Sequence, residues 1–169
     1  MRYLIANLIL TVCAATVCAD EGAFTTGPVF TDYGPVADVD VTNPVSLNTK
    51  LMHSFDVSEP APDGEPNRTL VSAARFINMH ARAGVPEDNV QVAVVVHGKA
   101  VKEVADEESA SAELIAALID QGTRVIVCGQ SAAYYDVAAE DLLSGVEMAL
   151  SAMSAHAQLQ RAGFTLNPF

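Results

Sequence analysis

The chain has 169 residues, half of them hydrophobic, with 9 basic against 21 acidic side chains and a formal net charge of −12. That length holds the core of one domain and no second core of similar size. The acidic balance, with no clustering of the few Lys and Arg, argues against nucleic acid or an anionic membrane as partner, since both are bound by neutralising phosphates with basic side chains.

Residues 1–19 have the form of a secretory leader. Arg2 supplies a positive start, Leu4 to Val17 is uncharged and mostly apolar, and a cut is expected after Ala19. The apolar run is shorter than the ~20 residues that span a bilayer, so the mature product is expected in the periplasm with no membrane insertion. A lipoprotein attachment at Cys18 wants Gly or Ala before the cysteine, and Val17 stands there. Cys13 and Cys18 leave with the leader, so Cys128 is the one thiol of the mature chain. A lone thiol in an oxidising compartment is shielded in the core, paired between chains, or used.

From residue 20 to 46, Gly22, Gly27-Pro28, Gly34-Pro35 and Asn43-Pro44 interrupt short apolar pieces. Turn chemistry this dense predicts an extended arm lying on the domain or on a neighbouring subunit. The folded domain is expected over 47–169. A first strand is predicted over 47–57, with Leu51, His53, Phe55 and Val57 on one side, and a proline-rich loop over 58–66. Asn67 is placed to cap a helix whose inward face carries Leu70, Val71, Ala74, Ile77 and Ala81, stopped by Gly84 and Pro86. Asn67-Arg68-Thr69 also matches a glycosylation sequon, and the cap is the preferred reading.

Val90 to Val96 is nearly continuous Val and Ala, as in a strand buried on both faces of a parallel sheet. A charged crossing, short-helical or irregular, is expected over 99–108, then a helix capped by Ser109 or Ser111 with Leu114, Ile115, Leu118 and Ile119 as its stripe. Residues 123–128 form the third strand. A short helix is predicted over 132–143, a strand or helix over 145–151, a helix over 152–162 with Met153, His156 and Leu159 at helical spacing, and a last short strand over 164–166. Strands alternating with helices predict an α/β three-layer sandwich, a parallel sheet covered on both faces. Ligands of such sheets bind outside the carboxyl ends of the strands, which puts Asp56, His97 and Cys128 on one edge.

Cys128 ends a buried strand, and Gly129-Gln130-Ser131 after it leads into a helix N-terminus, a setting that favours thiolate. The plainer alternative is a small apolar residue finishing a strand. His97 ends its strand as Cys128 ends the next, so a Cys–His interaction is within geometric reach; satisfaction of His97 by backbone carbonyls is the competing reading. Gln130 and Ser131 are candidate donors to a bound anion or persulfide, or loop caps. His53, His80 and His156 read as packing residues. One cysteine and four scattered histidines make no zinc or haem ligand set, so no metal and no cofactor is expected. Gly98-Lys99 lacks the rest of a phosphate loop, and Gly-x-Ser-x-Gly is absent.

Five segments in this order, Asn78-Met79-His80-Ala81, Val94-Val95-Val96-His97-Gly98, Val127-Cys128-Gly129-Gln130-Ser131, Asp141-Leu142-Leu143 with Gly145-Val146, and Gly163-Phe164-Thr165-Leu166-Asn167-Pro168-Phe169, resemble the secreted branch of the DsrE/DsrF-like family. The resemblance runs from about Val29 onward. It implies a five-stranded, mostly parallel sheet flanked by helices, as in the YchN-like proteins, with flavodoxin-like winding, and assembly into a homo-oligomer, trimer or hexamer. It also implies that Cys128 is the cysteine which, in the sulfur-relay members, accepts sulfane sulfur as a persulfide and passes it to a partner protein. The expected function is therefore a periplasmic sulfur carrier with a sulfur donor or acceptor protein as partner. The alternative is a non-enzymatic oligomeric binding or scaffold protein with a structural cysteine.

Overall fold

The central strand of the fold follows from its composition. Residues 90–96 are β-branched or small at all but Gln91, and 92–96 are buried, which only a strand covered on both faces requires. The structure, a computed structural model, describes residues 21–166. The leader expected over 1–19, its cut after Ala19, and the last three residues of the C-terminal motif lie outside the described residues.

Seven strands are described: β1 (Phe24–Thr25), β2 (Val36–Ala37), β3 (Leu51–Val57), β4 (Val90–Val96), β5 (Arg124–Cys128), β6 (Glu147–Ala149) and β7 (Thr165–Leu166). Four α-helices join them: α1 (Arg68–Arg82), α2 (Ala112–Asp120), α3 (Gly129–Tyr134) and α4 (Ala152–Arg161). β3 to β7 form one five-stranded sheet in the order β6-β5-β4-β3-β7, every pair parallel. β1 and β2 pair separately as a small antiparallel ribbon.

The period of two along each strand sorts side chains into two cores. Phe55, Val57, Val92, Val94, Val96, Val125 and Val127 pack under α1 and α2, while Ala93, Val95 and Ile126 pack under α4 through Ala155 and Leu159. This is the α/β three-layer arrangement expected from the alternation of elements. The winding also runs as expected of a doubly wound sheet: β3 to β6 step one way, and α4 then carries the chain back over the other face to β7 beside β3.

Asn67 caps α1, its Oδ1 accepting from Thr69 N–H at 3.0 Å. The same side chain is 3% exposed and donates to Glu59 O and Glu103 Oε1, so the cap reading stands over the sequon. The charged crossing is a 3₁₀ helix over Gly98–Ala105 that buries Ala100, Val101 and Val104. The helix expected over 132–143 is corrected. It starts at Gly129, directly after Cys128, and ends at Tyr134, because the chain turns at Asp136 with φ 57°. That left-handed conformation breaks a helix, and aspartate is one of the few side chains that tolerate it. The region 145–151 contains a three-residue strand, β6, on the sheet edge.

The arm lies on the domain through its first half. Phe30 and Val36 are buried, and the Asn78 side chain of α1 binds the arm backbone: its Oδ1 accepts from Val29 and Phe30 N–H, and its amide group reaches the carbonyls of Phe30, Tyr33 and Gly34. Residues 39–50 are exposed throughout.

Candidate functional site

The strand register brings the chemistry together. Asp56 pairs with Val95 and Val95 with Ile126, so Asp56 and Cys128 project to the α4 face, with Cys128 one pleat beyond Ile126. The last pair of β4 and β5 is Val96 with Val127, and His97 and Cys128 are the residues that follow them. His97 is still extended, at φ −148° and ψ −175°, so it keeps the alternation and shares that face. Neighbouring strands lie about 4.8 Å apart, which makes His97 and Cys128 adjacent at the carboxyl edge.

Cys128 is 5% exposed. Burial alone pushes a thiol pKa up, but the Ser131 hydroxyl and the backbone N–H groups of Ser131, Ala152 and Gln130 favour the charged form, and the balance lies below the ordinary thiol value. Two helix starts converge on it. α3 begins at the residue after Cys128, and α4 begins at Ala152, whose N–H faces the thiol. The start of α4 is fixed by a reciprocal cap in which Ser151 Oγ accepts from Ser154 N–H and Ser154 Oγ accepts from Ser151 N–H. Gly129 permits this convergence, because a Cβ there would come 2.7 Å from Ala149 O of the edge strand. The Ser131 hydroxyl accepts from Gly98 N–H at 3.0 Å, which ties the loop after β4 to the start of α3 beside Cys128. Gly98 has φ 59°, a conformation that favours glycine.

Of the side chains singled out from the sequence, the Ser131 hydroxyl favours the charged form of the thiol. Gln130 does so through its backbone N–H, while its side-chain amide donates to Leu150 O at 3.3 Å. His97 is neither satisfied by backbone carbonyls nor bonded to the sulfur: its Nε2 donates to Asp56 Oδ2 at 3.0 Å. His156, expected as a packing residue, is corrected. Its Nε2 donates to the other carboxylate oxygen, Asp56 Oδ1, at 2.7 Å, and its Nδ1 is enclosed with no partner. Burial would raise the Asp56 pKa, but the two histidine hydrogen bonds and their charge bring it below the usual value. Asp56 lies at the end of β3 beside both β4 and β7, the point where the strand order reverses and where ligands of doubly wound sheets bind.

The role of His156 was hidden because its partner is 100 residues away and its helix crosses the sheet only once folded. Its one sequence signal is spacing: His156 lies four residues after Ala152, so both share a face of α4. His53 stacks on Phe76 at 5.0 Å and bonds Thr165 Oγ1, and His80 bonds Phe76 O, so these two do pack. Burial and the nearby His80 lower the His53 pKa. Among the described residues, no group of three or more His, Cys, Asp and Glu is arranged to hold a metal ion, and no helix is long and apolar enough to cross a membrane. A cavity of about 370 Å³ opens at the end of β3, lined by Asp56, Ser58, Glu59 and Arg68 among others. Another of about 280 Å³ lies between β6 and α4, and Cys128 lines neither.

Fold and site thus define a doubly wound α/β protein that holds a buried thiol at the carboxyl edge of a five-stranded parallel sheet. The chain belongs to the DsrE/DsrF-like family, whose model matches residues 52–168. Two solved structures share the fold. One is a protein of unknown function, MTH1491, from Methanobacterium thermoautotrophicum, 19% identical over 69% of this chain and 97% of that one, with a TM-score of 0.51. The other is the ychN protein of E. coli, 17% identical over 69% of this chain and all of that one, with a TM-score of 0.50. No curated protein matches the chain.

The hydrogen bond from Ser131 can be tested by its sign. Alkylation consumes thiolate, so its rate rises with pH through the folded-state pKa of Cys128. Ser131→Ala removes a donor to the charged form and raises that pKa. The alkylation profile of the variant is expected to move to higher pH; an unmoved profile would mean that the hydroxyl does not hold the thiolate.

Proposed function

We propose that this is a periplasmic sulfur carrier, exported by a leader cut after Ala19 and working as a homo-oligomer, trimer or hexamer. Cys128 thiolate takes sulfane sulfur, holds it as a persulfide and passes it to a partner protein. The observation that carries this reading is a buried sulfur placed at two helix starts, where polar groups of Ser131, Ala152 and Gln130 favour its charged form. Donors placed on a thiolate also suit the terminal sulfur of a persulfide, an anion at the same site. Family membership and the position of the thiol at the carboxyl edge support it. A docking partner is supported by Tyr134, Leu150 and Met153, exposed apolar side chains on the elements that follow Cys128 and β6.

A second reading has its own observation. At 5% exposure Cys128 is buried enough to be a structural cysteine in an oligomeric binding or scaffold protein. One experiment separates the two. The protein is incubated with thiosulfate, polysulfide or a small persulfide and its intact mass is measured. The carrier reading expects the mass of one added sulfur, absent in Cys128→Ser. An unmodified wild type with a thiol that resists alkylation in the native state would establish the structural cysteine instead.

A further inference from the structure

The thiol accounts for only one part of the carboxyl edge. Beside it sit three groups of acid–base chemistry from three elements: Asp56 from β3, His97 from the end of β4 and His156 from α4. The Asp56 carboxylate has both oxygens taken by imidazole nitrogens, at 3.0 Å and 2.7 Å.

We infer that His97 is the general acid of sulfur transfer to Cys128, positioned by Asp56, which His156 in turn anchors from α4. The inference rests on the carrier reading above. Its first support is register: Val96 and Val127 are the last paired residues of β4 and β5, and His97 and Cys128 are the residues that directly follow them at the carboxyl edge. Its second is orientation. An ionised carboxylate only accepts hydrogen bonds, so each imidazole must present Nε2–H to Asp56, and Nδ1 of His97 is left for proton exchange. Its third is exposure: the His97 side chain is 31% exposed where Cys128 is 5%, so the imidazole is open to solvent and to an arriving donor. The Asp56–His97 pair is thereby arranged as an orienting carboxylate and an acid, and the enclosed, singly bonded His156 holds the carboxylate in place.

The step balances as follows. Cys128 thiolate attacks the outer sulfur of an alkyl persulfide, RS–SH, and a new sulfur–sulfur bond forms. The old one breaks, and its electron pair leaves with RS⁻. The His97 imidazolium gives a proton to RS⁻, leaving RSH, neutral His97 and Cys128–S–SH. No oxidant or reductant is consumed. An alkyl thiolate is a poor leaving group, and protonation as it departs is what an acid contributes, typically on the order of 10²-fold or more. The charged groups around the cluster are Asp56 itself, His156 on α4, Cys128 on β5, and Glu59 and Arg68 across the cavity at the end of β3.

The test varies the leaving group. His97→Gln keeps an amide donor toward Asp56 but cannot ionise. Its uptake of sulfur from cysteine persulfide, read by intact mass, is expected to fall about 100-fold. Its reaction with a nitro-substituted aromatic disulfide, whose leaving thiol needs no proton, is expected to stay within about twofold of wild type. Asp56→Asn should show the same selective loss, in smaller degree. Equal loss with both reagents would reduce His97 to a structural role, and no loss with either would remove it from the reaction; each outcome overturns the inference while leaving the carrier reading intact. A wild type that takes no sulfur from the persulfide yet reacts with the disulfide overturns both.

Discussion

Val95→Asp is expected to yield no folded protein. Val95 is fully buried in β4, the middle strand, with β3 and β5 bonded on either side and Ala93, Ile126, Ala155 and Leu159 packed around it. A carboxyl group there finds no cation. It would be forced neutral, and a rise of 3–5 units in pKa then costs about 4 kcal/mol at neutral pH, the most that protonation from an unfolded pKa of about 3.9 can cost there. The lost contacts of the valine add to this, against a total stability of about 5–15 kcal/mol for a domain. Gln91→Asp is the control, since it puts the same charge on the same strand at an exposed position. That variant is expected within about 0.5 kcal/mol of wild type. The measurement is the soluble yield and the chemical unfolding curve. A Val95→Asp protein that stays soluble and unfolds cooperatively near the wild-type midpoint would mean that the sheet has been assigned the wrong centre.

The same strand shows why the sheet was legible in the sequence. Val92 to Val96 is buried on both faces, and two buried faces require two layers of helix. Cys128 could be placed because an apolar run ends there in Gly-Gln-Ser. Much of the site was not legible, for a physical reason that differs from residue to residue. His97 stood correctly at a strand end, but its partner could not be read, because Asp56 lies 41 residues earlier and meets it only through the register of β3 on β4. His156 was hidden by periodicity itself: with Met153 and Leu159 it marks a helix, and a helix pattern does not say which strand end that helix crosses. Leu159 is buried and Met153 is 80% exposed, so the apparent stripe spans both the packed and the open side of α4. The start of α3 was misplaced because Gly129, read as a loop residue, is there so that edge-strand carbonyls can approach.

Asn78 is the other residue whose weight the sequence concealed, and its replacement carries the second large effect. It sits on the inward face of α1, fully buried, at a position that helical periodicity would give to an apolar side chain. Asn78→Ala is expected to lower stability by about 3–5 kcal/mol, because the two N–H groups of Val29 and Phe30 lose their acceptor and three carbonyls lose a donor, each buried orphan costing about 1–3 kcal/mol. Asn78→Asp separates hydrogen bonding from volume. It has nearly the same shape and still accepts from Val29 and Phe30, but it turns a negative oxygen toward the carbonyls of Phe30, Tyr33 and Gly34. If the network is what binds the arm, this variant should be destabilised as much as the alanine variant despite leaving no cavity. The arm should also release first: hydrogen exchange at Val29 and Phe30 should speed up in both variants under conditions where β4 stays protected. A loss under about 1 kcal/mol, or arm amides as slow as in wild type, would show that Phe30 and Val36 hold the arm by burial alone.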